Sequence, residues 1–231
     1  MSENPFALAV AERTEVAAID ETAFSKIVKV QSWLPSLKLI SSKSALVGAP
    51  HRLTSGNWYL KRAQKYQDLG TSPVVVCCAM RLKAVEAIMT AEGESWVNYY
   101  DAESEAFKSV MSKAEIPGNM GAFFGPEYLV WVDGAGEGGG EWALLLCGNK
   151  SSRMVSGELN SAVKGMYPIS LPTDVVTKGK KSWEVFTPER FNGALQYYPT
   201  KQDLDERVSK FKAEQEAKAT VEPAAEAARE Q

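Results

Sequence analysis

Histidine, cysteine and long apolar runs are scarce in this sequence, and each scarcity removes a class of function. The 231 residues hold one histidine, His51, and three cysteines, Cys77, Cys78 and Cys147. With no C-x-x-C spacing and a single imidazole, a zinc site is not expected. His51 sits in a polar stretch beside no plausible nucleophile, so Ser-His or Cys-His chemistry has no footing. An odd number of cysteines inside apolar segments reads as reduced, buried thiols. No run approaches the roughly 18 apolar residues of a spanning helix, and Met-Ser-Glu-Asn-Pro lacks a signal peptide's pattern. A soluble, cytoplasmic protein without a membrane partner is expected. Net positive charge is missing too: 26 Lys and Arg against 29 Asp and Glu leave −3. Any nucleic-acid surface must then be a local patch.

What is present is ordinary globular composition, 45% hydrophobic and 24% charged, distributed as a β-rich core with helices inserted. Residues 1–30 read as an N-terminal arm. A core domain is expected over 31–199, and a C-terminal helix with a disordered tail over 200–231. Strands are expected at Leu34–Ile40, Asn57–Gln64 and Val74–Met89. The last has a β-branched start followed by strict alternation, which favours one long strand. A helix is expected over Glu103–Lys113, with Phe107, Val110, Met111 and Ala114 on one face. The aromatic segment Gly121–Val132 and the strand Trp142–Cys147 flank a glycine-rich loop, read as a flexible hairpin connection. Beyond them come a helix from Ser151 towards Lys164, then β segments Ile169–Thr177 and Ser182–Thr187. Asp203–Lys218 has helical spacing through Leu204, Val208 and Phe211.

Three groups of residues could carry chemistry. The first is the turn Lys178, Lys180 and Lys181, which leads into Trp183 and so sets a phosphate-seeking charge cluster beside a ring able to stack. The second is Tyr59, Lys61, Arg62 and Lys65 with Arg81 and Lys83, where alternation puts Tyr59 and Lys61 on one strand face and Trp58, Leu60 and Arg62 on the other. The third is Lys150 and Arg153 beside the N-terminus of the helix after Gly148-Asn149, a generic anion site. Gly-Asn-Lys-Ser-Ser is not a P-loop, because Asn149 rather than glycine precedes Lys150 and the position five before Gly148 is Ala143. Glu127 is a carboxylate among aromatics without a defined second carboxylate, so no general acid is assigned. No catalytic residue, metal or cofactor is expected.

Strand, helix and closing hairpin in this order match the second half of an OB barrel. Gly148–Arg153, Thr177–Phe186, the segment from Trp33-Leu34-Pro35 through Met80–Ala84, and Phe124–Trp131 together resemble bacteriophage-type single-stranded DNA-binding proteins. The resemblance covers residues 33–190. It implies an OB-like antiparallel barrel with helical N- and C-terminal extensions, non-sequence-specific binding of single-stranded DNA, and replication or recombination proteins as partners. Homo-oligomerisation stays open. The strongly acidic terminal run of such binders is absent from this chain. A non-enzymatic accessory or virion-associated interaction module is the alternative.

Overall fold

In a computed structural model, the structure of the protein describes residues 34–62, 65–90, 93–119 and 121–216. The expected arm over 1–30 and the tail beyond residue 216 lie outside them. The described chain is mostly β with a few helices. Eleven strands are described, beginning with β1 (Ser36–Leu39), β2 (Trp58–Arg62), β3 (Lys65–Asp68), β4 (Val74–Thr90) and β5 (Gly93–Tyr99). They continue with β6 (Ala122–Asp133), β7 (Gly140–Leu146), β8 (Pro168–Ser170), β9 (Thr173–Lys178), β10 (Lys181–Phe186) and β11 (Glu189–Arg190). The helices are α1 (Glu105–Ala114), α2 (Lys150–Met154), α3 (Ser156–Gly165) and α4 (Lys201–Glu216).

Nine strands make one sheet in the order β11-β8-β4-β6-β7-β1-β2-β3, with β5 also paired to β4. β1 runs parallel to β7, and the other described pairings are antiparallel. The expected barrel is not what forms. Among the described residues the sheet stays open, with β11 and β3 at opposite ends of the path. Ile169–Thr177, expected as one strand, divides at Leu171-Pro172 into β8 and β9. The first piece, β8, pairs with β4, while β9 pairs only with β10 as a separate two-stranded sheet.

Both faces of the large sheet are covered. On one, Val75, Cys77, Tyr128, Val130, Ala143 and Leu145 pack with Leu159, Ala162 and Val163 of α3. On the other, Val76, Cys78, Leu129, Trp131, Trp142 and Leu144 pack with Leu204, Val208 and Phe211 of α4. Removing each α4 side chain from water contributes about 1.5–3 kcal/mol, so α4 is part of the core rather than an extension. A third cluster, around Ala84, Val97, Tyr99 and Ala122, seats Phe107 and Val110 of α1.

β4 carries one irregularity, a register shift between Cys77 and Ala79 in its pairing with β6. Before it, even-numbered side chains meet α4. After it, Ala79 lies on the α4 face and Met80 packs on the α3 face. An extra residue in a bulged strand reverses the alternation downstream in this way. The glycine-rich loop is held rather than loose: Asp133 accepts from the backbone of Gln196 and Tyr197, and Gly136 N donates to Gln67 at 3.0 Å.

Candidate nucleic-acid interface

The hairpin β9–β10 gathers three of the expected basic residues. Its two-residue tip is Gly179-Lys180, and Gly179 has φ 62°, which suits a turn with glycine at its first central position. One hairpin face is turned to the body. Phe186 meets Trp58 edge-on with centroids 5.0 Å apart, and Glu184 Oε1 accepts from Ser42 N at 2.9 Å and Ser55 Oγ at 2.8 Å. Desolvation opposes ionisation of Glu184, but these bonds prevail and hold its carboxyl at about 2.

Pleating then gives the opposite face to Asp174, Val176, Lys178, Lys181, Trp183 and Val185. Lys178 stands directly across from Lys181, and Val176 across from Trp183. The three lysines are exposed and Trp183 is half-buried. Directly opposed like charges destabilise a two-stranded ribbon, so stability alone does not account for this pair. α2 lies against β10 and begins at the exposed Lys150. Asn149 Oδ1 caps it by accepting from Ser152 N, and Ser152 Oγ accepts in return from Asn149 N. The helix expected from Ser151 to Lys164 is interrupted at Val155, which separates α2 from α3.

The other expected residues are placed elsewhere. Arg153 lies over the Phe124 ring at 4.0 Å and donates to Phe124 O and Glu115. Arg62 pairs with Glu141. Tyr59 is buried, its hydroxyl donating to Asp68 Oδ2 and accepting from Thr54 N. Lys61 sits 5.7 Å from the Tyr66 ring centroid, and Lys65 is exposed on the edge strand.

Arg81 and Lys83 are buried rather than at the surface, and the bulge turns them to the sheet face on which Arg81 meets Phe211 of α4. Arg81 Nε reaches Glu127 Oε2 at 2.6 Å and Lys83 Nζ reaches Glu127 Oε1 at 2.7 Å. The Arg81 guanidinium is stacked between Tyr100 at 4.3 Å and Phe211 at 4.2 Å. Burial alone would push the Glu127 carboxyl up, but the Lys83 and Arg81 charges hold it below its usual range. For Lys83, burial is likewise outweighed by Glu127, and its ammonium is stabilised. Glu127 thus serves two buried cations, which the sequence reading did not foresee. Burial also pushes the Cys147 thiol up to about 12 and raises Cys77, so neither is an activated nucleophile.

No family model, curated protein or solved structure matches the chain. No helix among the described residues is long and apolar enough to cross a membrane.

Proposed function

We propose that the chain binds single-stranded DNA without sequence preference, through the outward face of the β9–β10 hairpin. The observation that carries this reading is the Lys178–Lys181 pair, opposed across the ribbon one step from Trp183. A phosphate between the two ammonium groups relieves their repulsion, and a neighbouring base can stack on the indole. Lys180 at the tip and Lys150 on α2 extend the cationic border. Contacts of this kind are blind to sequence, as a replication or recombination role in the cytoplasm of an infected cell requires.

The test is fluorescence anisotropy of a labelled thirty-mer oligothymidine at two salt concentrations, with a duplex as control. Salt-sensitive binding of the single strand alone is expected. Replacing Lys178, Lys180 and Lys181 together by Gln should lower the slope of log K against log salt by about 2, since each single-strand phosphate contact contributes roughly 0.7. Trp183→Ala should weaken binding by about 1–3 kcal/mol with the slope kept. A thirty-mer that fails to bind at low salt rejects the proposal.

One observation favours a second reading, a non-enzymatic accessory or virion-associated protein-interaction module. Trp96 is 47% exposed while packed on Phe123, and an exposed aromatic pair suits a protein partner. On that reading Trp96→Ala abolishes partner capture and leaves oligothymidine titrations unchanged.

A further inference from the structure

The β9–β10 hairpin stands apart from the large sheet, and the outer edge of β9 is open. Among the described residues β9 pairs only with β10, and residues 174–178 are all exposed. Val175 is 56% and Val176 38% exposed. Adjacent β-branched residues on a free, exposed edge are what a monomer avoids, because such an edge is a template for another strand.

The turn decides which backbone groups are free. A two-residue tip makes Lys178 and Lys181 a pair that exchanges both bonds. Lys178, Val176 and Asp174 therefore direct their N–H and C=O groups at β10, and Thr173, Val175 and Thr177 direct theirs outward. Thr173 N fixes this phase by donating to Thr71 O at 2.9 Å. Val175 N, with no strand beside it among the described residues, donates to Oδ1 of the adjacent Asp174 at 2.7 Å. The body thus covers the edge at Thr173, and the open stretch runs from Asp174 to Lys178, where the tip turns.

An antiparallel partner must match outward groups with outward groups. A second β9 centred on Val176 does so, because Val175 then exchanges bonds with the partner's Thr177, and Thr177 with the partner's Val175. The side chains match as well. Asp174, Val176 and Lys178 share one face, so Asp174 stands opposite the partner's Lys178 and Val176 opposite the partner's Val176. Lys178 stands opposite the partner's Asp174. Opposite charges directly across a ladder stabilise it. A centre moved to Val175 keeps the backbone match but sets Asp174 against the partner's Val176 and loses both charge pairs. The edge is complementary to itself, as a two-fold interface requires.

We propose that two copies of this chain pair antiparallel through β9, in register on Val176, as a dimer with a four-stranded ribbon β10-β9-β9-β10. The contact is short, so the dimer is weak and depends on concentration. This interface goes beyond the DNA reading and does not need it. Where both hold, Trp183, Val176, the partner's Val176 and the partner's Trp183 form one row. The two indoles are then about 14 Å apart at ~4.8 Å per strand, which gives one nucleic-acid strand two stacking rings on a single surface.

Sedimentation velocity of the full chain, without DNA, over a wide concentration series is the test. The chain should pass from monomer to dimer as concentration rises, and the amides of Val175 and Thr177 should exchange more slowly in the dimer. Asp174→Lys and Lys178→Asp should each stay monomeric, because each sets like charges opposite one another at both ends of the ladder. An equimolar mixture of the two variants should dimerise, since each supplies the charge that the other lacks. The double variant Asp174→Lys, Lys178→Asp should dimerise alone. An original chain that stays monomeric throughout the series, a mixture that associates no more than its components, or a monomeric double variant overturns the proposal. Thirty-mer anisotropy is read separately: a chain that dimerises as described but fails to bind the thirty-mer upholds the β9 interface and rejects only the DNA reading.

Discussion

Glu127 is the residue on which most charge depends. It is 2% exposed and holds both Arg81 and Lys83. Breaking a buried ion group by removing one member leaves uncompensated charge, at a cost of about 3–5 kcal/mol. Glu127→Gln should lower unfolding stability by that order in a urea titration. The pH dependence has a definite sign. A carboxyl whose folded value lies below its unfolded one contributes stability that is complete above the unfolded value and is lost as pH falls through the folded one. Stability should therefore decline on acidification below the ordinary glutamate range, and in Glu127→Gln that portion of the decline should disappear. Gly125 is constrained by sterics instead. A Cβ there would overlap the carbonyl oxygen of Cys147, which is backbone and cannot swing away. Gly125→Ala should cost about 1–3 kcal/mol by the same titration. Neither role was legible in the sequence, because Arg81 and Glu127 are 46 positions apart and meet only through the register of β4 with β6.

Periodicity served the individual elements well. The apolar alternation of Val74–Met89 emerged as one strand, and Leu204, Val208 and Phe211 emerged as the buried stripe of a helix. The faces of β2 also came out as alternation required, with Trp58 and Leu60 in the α3-side core and Tyr59 on the opposite side. Short polar strands were missed. β3 is Lys-Tyr-Gln-Asp, with no apolar period to announce it, and β5 alternates only weakly. Pairing with a stronger neighbour makes them strands, and that information is not local. At this scale Phe211→Ala should cost about 3–5 kcal/mol, because it opens a cavity and uncovers one side of the Arg81 guanidinium. Thermal unfolding with near-ultraviolet detection would measure it. The outcome expected for the hairpin differs. Glu184→Ala removes the bonds to Ser42 and Ser55, leaving Phe186 as the anchor. Backbone amides of β9 and β10 should then exchange faster while those of β6 stay unchanged.

For the whole molecule, an open sheet between α3 and α4 replaces the barrel suggested by the order of strand, helix and hairpin. Element order alone could not decide this, since closure depends on whether the last strands reach the first. Here β9 and β10 pair with each other as a separate ribbon. The layered arrangement predicts a gradient of protection in native-state hydrogen exchange. Amides of β4, β6 and β7, buried on both faces, should open only with global unfolding, and those near Gly179 should exchange first.

The extra residue at Cys77–Ala79 has a further consequence, because it divides β4 into two halves of opposite phase. The first half is written for a sheet that shows even positions to α4, and the second half for one that shows odd positions. Deleting Cys78 would bring the halves into one phase and send Arg81 and Lys83 towards the α3 layer, away from Glu127. Such a one-residue deletion should prevent folding, although Cys78→Ala at the same place should be tolerated. At this position the count of residues matters more than the side chain it carries.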